Sequence, residues 1–275
     1  MKSQAEQWLL KEKYNGEKSD AFFADCKALA LGTPLGYLIG HVPFLDCTIH
    51  LDEHPLIPRV ETEFWVEQAI LAIKESHTNQ DSLFNNQTTS KQNNQSPTCV
   101  LDLCAGSGCI GVAVAKAVPE VLVDFAEINQ HLLPTIKKNC RANNIDDSRY
   151  NIHHSNLFEQ FPIDWKYDFI LSNPPYIDPA IDRATDSVKS HEPHLALYGG
   201  EGGIEIIEQL ITAAPEYLTP GGQLWIEHEP EQVAAINDIA REHNFVATNH
   251  PDQYEVDRYS ILVYDQNHKE SEARL

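Results

Sequence analysis

The spacing of apolar positions changes along the chain, and each change predicts a different element. Residues 3–31 carry apolar side chains at helical spacing, with Gly16 as the expected break, which predicts one or two amphipathic helices. The stretch 44–57 predicts a β-hairpin with its turn near Asp52–His54. Residues 61–76 are amphipathic at helical spacing again and predict a longer helix.

From residue 99 onward, strand-like apolar runs alternate with helical patterns. Parallel strands need crossover connections of ten or more residues, so this alternation predicts an α/β fold with a mostly parallel central sheet. The predicted strands lie at 99–104, 121–128, 151–158, 167–172, 222–229 and 259–264, and the predicted helices at 108–118, 131–144, 203–218 and 229–244.

These patterns divide the chain into five segments. Residues 78–96 contain nine Asn or Gln among nineteen positions and offer too little apolar surface to order themselves, so we expect a flexible insertion there. The predicted segments are a short N-terminal helical segment (1–31), the hairpin and linker helix (32–76), the Asn/Gln-rich insertion (77–98), the main α/β domain (99–265) and a tail (266–275).

Composition narrows the possible functions. The formal net charge of −21 opposes avid binding to phosphate backbones, so we expect no direct contact with nucleic acid. We see no secretory signal and no apolar run of membrane-spanning length, so we expect a cytoplasmic protein without membrane contact. The six cysteines form no CxxC pair, and His191 and His194 have no second ligand cluster nearby, so no metal is expected.

A glycine-rich turn, Gly106-x-Gly108-x-x-Gly111, follows the strand at 99–104 and opens a helix. Such a turn lets a ligand approach the backbone at a helix N-terminus, and an acidic residue at the end of the next strand, here Glu127, binds ribose hydroxyls. A dinucleotide and a nucleoside-type methyl donor both fit this pattern. We expect Asp102, just before the turn, to hold N–H groups of the loop.

The segment Asn173-Pro174-Pro175-Tyr176 favours the methyl donor. It follows a buried strand, at the sheet edge where α/β proteins bind ligands. The prolines remove two donors and stiffen the loop, leaving the Asn173 side-chain oxygen and the Pro174 carbonyl as acceptors for a planar NH2 group. Tyr176 is predicted to form an aromatic wall. This arrangement suits methylation of an amide, a poor nucleophile that must be held in line with the methyl group.

With these motifs in place, residues 32–264 resemble the protein-(glutamine-N5) methyltransferases of the HemK/PrmC type, which methylate the Gly-Gly-Gln glutamine of peptide chain release factors. The resemblance rests on the stretch 32–67, LDLCAGSGCIG, NPPYI, HEPHLALYGGEGG and GGQLWIEHEPEQ. It implies a Rossmann-like class I S-adenosylmethionine-dependent methyltransferase fold, preceded by a short helical segment and a β-hairpin. It also implies S-adenosylmethionine as cofactor, a release factor as partner and residues 99–265 as the catalytic domain. We expect a monomer.

The resemblance also assigns residues. Arg59, Glu61 and Thr62 are similar to a family signature near the mouth of the active site. The implied donor-binding residues are Cys104, Ala105, Gly106, Ser107, Gly108, Glu127, Asn156, Leu157 and Asn173, and the implied catalytic residues are Asn173, Pro174, Pro175 and Tyr176.

The chain departs from the family in three places. Asn156 and Leu157 stand where the family usually has Asp and an aromatic residue near adenine, so either donor affinity is lower or Phe158 or Tyr176 compensates. About 31 residues precede Gly32, where the family usually has a domain of several helices, which leaves the docking of the partner open. The Asn/Gln-rich insertion is also atypical.

Three other functions remain open from the sequence. The same motifs serve methylation of a glutamine in a ribosomal large-subunit protein. NPPY also serves methylation of adenine N6 in nucleic acids, although the negative charge opposes it. A non-catalytic module that binds a translation factor is the third alternative, and the intact NPPY segment opposes it.

Overall fold

The computed structural model describes residues 3–84 and 97–266, and of residues 77–84 it describes the backbone alone. The helices are α1 Gln4–Glu12, α2 Asp20–Ala30, α3 Leu35–Ile39, α4 Val60–Phe84, α5 Cys109–Ala117, α6 Leu133–Ala142, α7 Asp186–His191, α8 Glu205–Ala213 and α9 Val233–Glu242. The strands are β1 His41–Phe44, β2 Cys47–His50, β3 Cys99–Leu103, β4 Leu122–Glu127, β5 Tyr150–His154, β6 Tyr167–Ser172, β7 Leu218–Glu227, β8 Phe245–Pro251 and β9 Asp257–Tyr264.

The main sheet of the described chain runs in the order β5-β4-β3-β6-β7-β9-β8. The five strands from β5 to β7 pair in parallel, and β9 is antiparallel to both of its neighbours. The strand order reverses between β3 and β6, so the loops after these strands diverge and leave a crevice at their carboxyl ends. The mostly parallel sheet that the sequence predicts is confirmed, whereas α3, α7 and β8 were not predicted.

Successive side chains of the central strands point to opposite faces of the sheet, and both faces are covered. Val100 of β3 packs in a core formed with the hairpin, α4, α5 and α6. Its neighbour Leu101 packs in a second core formed with α8 and α9. Burial on both faces explains why the strands appear in the sequence as nearly continuous apolar runs.

The predicted hairpin exists, but its predicted turn was wrong. The two strands join at Leu45 and Asp46, with His41 opposite His50, and not at Asp52–His54. Leu45 adopts a left-handed φ of 48°, and its N–H donates to the Glu63 carboxylate. A side chain from α4 therefore stabilises this turn, and no local turn signal reveals it. Residues 51–54 also form a turn, but it leads out of the hairpin.

The N-terminal helices are confirmed as two, with Gly16 between them, and Ser3 and Ser19 cap their N-termini. Helix α4 continues to Phe84, so residues 77–84, predicted as the start of the insertion, are helical. The rest of the predicted insertion up to residue 96, and residues 267–275 of the predicted tail, lie outside the described residues. Among the described helices, none combines the length and the apolar character that crossing a membrane requires.

Candidate functional site

A cavity of about 1130 Å³, counted with its open mouth, lies at the carboxyl ends of β3, β4 and β6. It is the crevice that the reversal of strand order creates. The residues that line it come from the segment before α4 and its first turn, the glycine-rich turn and the start of α5, the ends of β4, β5 and β6, the turn before α6, the loop after α7 and the start of α8. They are Leu56, Pro58, Thr62, Cys104–Ser107, Cys109, Ile110, Ala126–Asn129, Leu132, Ser155–Leu157, Asn173, Pro175, Pro193, Leu195, Ala196, Tyr198 and Ile206.

The glycine-rich turn places its main chain against the cavity. Gly106 has a left-handed φ of 56°, and a Cβ built there meets no atom within 4 Å, so the loop leaves open space above it. A Cβ on Gly108 would approach Ile136 to 2.9 Å. At Gly111 a Cβ would approach the Phe125 ring to 2.4 Å, so this glycine serves the packing of α5 on the sheet. Gly106 therefore leaves space at the cavity, whereas Gly108 and Gly111 allow close packing of the turn and of α5.

Glu127, at the end of β4, is held by the main chain. Its Oε2 accepts from the N–H of Gly106 at 2.7 Å, and its Oε1 accepts from the N–H of Asn129 at 2.8 Å. Burial raises the pKa of this carboxyl, although these two N–H groups oppose the shift. Each carboxylate oxygen has a further lone pair, so Glu127 can accept two more hydrogen bonds from a ligand in the cavity.

Asp102 lies beneath the turn and does not line the cavity. Its Oδ2 accepts from the N–H of Gly111 at 2.8 Å, which fixes the first turn of α5 on β3. Its Oδ1 has no hydrogen-bond partner among the described residues. Complete burial raises the pKa of this carboxyl well above its usual value. The contact with a backbone N–H agrees with the structural role expected from the sequence.

Asn139 of α6 supports the turn, and sequence reasoning missed it. Its Nδ2 donates to the Ser107 carbonyl at 2.9 Å and to the His50 carbonyl at 3.0 Å, while its Oδ1 accepts from the N–H of His50 at 2.7 Å. Asn143, one helical turn later, makes the same pair of bonds with Thr48. The two side-chain amides bind the backbone N–H and carbonyl groups of β2, as a neighbouring strand would. Through the Ser107 carbonyl they connect the hairpin to the glycine-rich turn. A pair of Asn residues at helical spacing was the only signal in the sequence.

The loop after β5, the edge strand next to β4, forms a further part of the cavity wall. Asn156 and Leu157 both line the cavity, and the Nδ2 of Asn156 donates to Glu159 at 2.9 Å. Phe158 is buried and stacks on Tyr217, with ring centroids 4.4 Å apart. Phe158 therefore packs in the core, and Leu157 is the large apolar side chain that this loop presents to the cavity.

The Asn-Pro-Pro-Tyr segment lies where the sequence places it, after β6. Asn173 and Pro175 line the cavity, whereas Pro174 is buried and Tyr176 is not among the lining residues. The Tyr176 hydroxyl donates to Glu227 at 2.9 Å, so the expected aromatic wall is not seen. The Tyr176 carbonyl accepts from the side chain of Gln232 at 2.6 Å. Side-chain contacts therefore hold the segment in place.

Glu227, at the end of β7, organises a buried network that the sequence did not reveal. Its Oε2 accepts from the Thr62 hydroxyl at 2.6 Å and from the Trp65 indole at 2.7 Å. Thr62 in turn accepts from the Nδ2 of Asn173 at 3.1 Å. The parallel register opposes Ser172 to Ile226, so the next residues, Asn173 and Glu227, are neighbours. Burial raises the pKa of Glu227, and its three donors oppose that shift.

The segment before α4 is fixed by an ion pair. Arg59 contacts Glu192 at 2.6 Å, and the side chain of Glu192 is only 1% exposed. Glu192 also accepts from the N–H of Ile57 at 3.1 Å. The pair joins the chain before α4 to the loop of Pro193, which lines the cavity. Glu61 does not line the cavity.

The remaining candidates take no part in the cavity's polar chemistry. Burial raises the pKa of the Cys104 thiol to about 12, so it is no ready nucleophile although it lines the wall. His228 is buried against Ser260 and the Glu229 carbonyl. His191 and His194 contact carbonyls of their own segment. In the described part of the chain, no three His, Cys, Asp or Glu side chains are grouped to hold a metal.

Comparison with known proteins assigns the family. The Methyltransferase small domain family model matches residues 83–190. The release factor glutamine methyltransferase of Rhodopirellula baltica is 36% identical over 214 residues, which cover 78% of this chain and 67% of that protein. The release factor glutamine methyltransferase of Streptococcus pneumoniae is 30% identical over 236 residues, 85% of this chain and 76% of that protein. The chain belongs to the release factor glutamine methyltransferase family. The family resemblance inferred from the sequence is thereby confirmed.

Solved structures confirm the fold expected for a release factor glutamine methyltransferase. The catalytic domain of hMettl16 in complex with a MAT2A 3′UTR hairpin matches with a TM-score of 0.55 at 15% identity, covering 79% of this chain and 75% of that chain. Together with the Methyltransferase small domain match, this likeness confirms the predicted class I methyltransferase fold. At this identity it shows the fold alone.

Proposed function

We propose that the protein transfers a methyl group from S-adenosylmethionine to the side-chain amide nitrogen of a glutamine in a peptide chain release factor. The observation that carries the proposal is the meeting of two walls at one cavity. Glu127 and the open glycine-rich turn lie on one side, and Asn173 lies on the other. The family to which the chain belongs supports the same activity.

The residues present fit the proposed cofactor. The space above Gly106 accepts a group that must lie close to the backbone, and Glu127 has lone pairs for two ribose hydroxyls. Asn156 and Leu157 are placed to border the adenine. When bound, S-adenosylmethionine supplies a methyl group on a sulfonium, which becomes a neutral thioether once the methyl has left. Cys104, Ala105 and Ser107, which line the cavity, complete the proposed donor site, and the buried Gly108 shapes the turn behind them.

On the other wall, the chain's task is to orient a poor nucleophile. The Asn173 Oδ1 and the Pro174 carbonyl would each accept one N–H of the glutamine amide, which places the nitrogen lone pair toward the methyl group. The new N–C bond would form as the C–S bond breaks, with the bonding electrons left on sulfur, and the nitrogen would release one proton to solvent. Pro175 stiffens the loop, and Tyr176 supports it through Glu227. The acceptors also stabilise the positive charge that develops on the nitrogen.

The finer assignments belong to the same proposal. The acceptor is the glutamine of a Gly-Gly-Gln motif, the protein acts as a monomer, and it works in the cytoplasm. The charge of −21 opposes the alternative of adenine N6 methylation in nucleic acid. A glutamine of a ribosomal large-subunit protein is the alternative that the site accommodates equally well.

The test is methyl transfer from isotopically labelled donor to three acceptors. These are a release factor with Gly-Gly-Gln, its Gln→Ala variant and the ribosomal large-subunit protein. We expect label on the first acceptor alone. Label on the ribosomal protein alone would identify that protein as the substrate in place of the release factor. Label on none of the three acceptors, with donor bound, would reject the proposed activity.

Two variants separate the walls of the cavity. In Asn173→Ala we expect transfer to fall at least about 100-fold while the donor Kd stays within about threefold, because the amide loses an acceptor and the donor loses little. In Glu127→Ala we expect the donor Kd to rise about 100-fold through the loss of two charge-assisted hydrogen bonds. Calorimetry measures the Kd values. Equal loss of donor binding in both variants would contradict the division of roles.

A further inference from the structure

The direction of the Asn173 side chain decides what the cavity can bind. Its amide has two ends of opposite chemistry, an oxygen that accepts and an NH2 that donates. The two ends are similar in shape, so only the surrounding hydrogen bonds fix which one faces the cavity. Here the Nδ2 donates to the Thr62 hydroxyl at 3.1 Å. Among the residues that the structure describes, none donates to Oδ1, which is therefore available to a substrate.

Glu227 sets the direction of the hydrogen bond between Asn173 and Thr62. Glu227 is only 1% exposed, and an ionised carboxylate accepts hydrogen bonds but never donates them. The Thr62 hydroxyl has a single proton, and the 2.6 Å contact with Oε2 uses it. The remaining capacity of Thr62 is to accept, so the neighbouring amide of Asn173 must turn its NH2 group toward Thr62.

Trp65 extends the same direction to an uncharged amide oxygen at residue 227. An indole N–H is a donor only, and it donates to the same Oε2 at 2.7 Å. Whatever group stands at residue 227 must therefore present an acceptor at this point. Helix α4 carries Thr62 and Trp65 three residues apart, so both reach Glu227 from one face of the helix.

We propose that Thr62, held by Glu227 and Trp65, is a positioning residue that fixes the Asn173 amide with its oxygen toward the cavity. The site then selects an acceptor that offers N–H groups, the amide of glutamine, over one that offers only acceptor oxygens, the carboxylate of glutamate. This inference deepens the proposed function and rests on it for the identity of the substrate.

The first test compares Thr62→Val with Thr62→Ser. Valine has nearly the shape of threonine without the hydroxyl, whereas serine keeps it. In Thr62→Val we expect kcat/KM for the release factor to fall about 10- to 100-fold, with the donor Kd within about twofold. Thr62→Ser should stay within about threefold of the unchanged protein. Equal losses in both variants would overturn the proposal, because the methyl group rather than the hydroxyl would then matter.

The selectivity for glutamine over glutamate is a measurement that a purely structural role of Thr62 would leave unchanged. The release factor with Gln→Glu in its Gly-Gly-Gln motif serves as a competitive inhibitor. The ratio of its Ki to the KM of the Gln form measures discrimination between carboxylate and amide. We expect this ratio to fall about tenfold in Thr62→Val and to stay unchanged in Thr62→Ser. An unchanged ratio in Thr62→Val would overturn the proposal.

The variant Glu227→Gln removes the charge of residue 227 and keeps the direction of its hydrogen bond with Thr62. The donor-only indole of Trp65 will hold the Gln oxygen where Oε2 was, so the Thr62 hydroxyl still donates and Asn173 keeps its orientation. We therefore expect kcat/KM within about fivefold of the unchanged protein. A loss as large as that of Thr62→Val would show that the charge is required, which would contradict the proposed role of direction.

Nuclear magnetic resonance tests the orientation without turnover. In protein labelled with ¹⁵N-asparagine, the Asn173 side-chain NH2 is the signal lost in Asn173→Ala. We expect one of its protons to exchange slowly with water in the unchanged protein and in Thr62→Ser, and quickly in Thr62→Val. Fast exchange in all three would overturn the inference. If the unchanged protein methylates no release factor, the proposed function fails, yet this signal still tests the orientation.

Discussion

The two walls of the cavity are built in different ways. The donor wall is a main-chain structure, in which Gly106 and Ala105 donate through their N–H groups to Glu127 and the Ala126 carbonyl of the adjacent strand. The acceptor wall depends on side chains that are distant in sequence. Asn173 reaches Thr62 across 111 positions, and Thr62 reaches Glu227 across 165. The first wall follows from a local motif, and the second exists only when the whole fold is complete.

This difference has a consequence for robustness. The backbone of the glycine-rich turn tolerates changes in its own side chains as long as the glycines keep their φ angles, although the wall still depends on the Glu127 carboxylate that accepts from Gly106. A side-chain wall fails when any one member changes, because each buried polar group depends on its partner. We therefore expect conditions or substitutions that damage the acceptor wall to leave the donor wall able to bind.

Acid should give the largest effect, through the buried His228 that follows Glu227 in the chain. Burial lowers the pKa of His228, next to Glu227, to about 4. The unfolded chain takes up this proton as the pH falls through 6.5, whereas the folded chain resists until about 4. The stabilisation is thus complete above pH 6.5 and is lost between 6.5 and 4, by about 3 kcal/mol at pH 4. Burial instead raises the pKa values of the Asp102, Glu127 and Glu227 carboxyls, so their protonation in acid relieves their burial on both sides of the cavity.

Urea unfolding of the unchanged protein and of His228→Gln, at several pH values from 7 to 4, measures this contribution. The free energy of unfolding should fall less steeply with acid in His228→Gln, since glutamine takes up no proton. His131→Gln, at an exposed histidine outside the site, is the matched control and should keep the slope of the unchanged protein. Identical slopes in all three proteins would mean that burial of His228 does not make the fold sensitive to acid.

The Arg59–Glu192 pair should give the next largest effect. In Arg59→Met the carboxylate of Glu192 loses its cation while it stays buried, which destabilises the fold. Because Arg59 is 33% exposed, solvent moderates the loss to about 2 kcal/mol. The loop of Pro193 should loosen, so the KM for the release factor should rise severalfold with the donor Kd little changed.

The control for this variant is Arg241→Met, which removes an exposed pair with Asp238 on α9. Exposed pairs contribute little, so we expect a change below about 0.5 kcal/mol and unaltered kinetics. Thermal unfolding and steady-state kinetics measure both variants. A donor Kd that worsens in Arg59→Met as much as the acceptor KM would show that the walls are not independent.

The same contrast explains what the sequence could predict. Gly106 and Glu127 were predictable at the cavity because they stand at fixed distances from two strand ends, whereas Gly108, also expected to bind the donor, is buried and does not line the cavity. Asn173 and Pro175 were predictable for the same reason. Thr62 entered only through a family resemblance, and Glu227 with its three donors was missed, since no pattern links residues so far apart in sequence.

The missed parts of the fold have a similar cause. The turn of the hairpin at Leu45 is held by Glu63 from α4, which overrides the weak turn preference of its own residues. Tyr176 does not form the expected aromatic wall, because its hydroxyl donates to Glu227 and the residue does not line the cavity. In each case a long-range side-chain bond decided the outcome over the local signal.

The smallest effect should come from Leu157, on the donor wall. The family resemblance implies an aromatic residue at this position, and neither Phe158 nor Tyr176 takes its place, because Phe158 stacks on Tyr217 and Tyr176 donates to Glu227. In Leu157→Phe a ring can stack on the adenine, which should lower the donor Kd about threefold to tenfold. Leu157 already has a left-handed φ of 46°, so phenylalanine adds no new kind of backbone strain. Leu157→Met, similar in volume but without a ring, should leave the Kd unchanged, and equal gains in both variants would attribute the effect to packing rather than stacking.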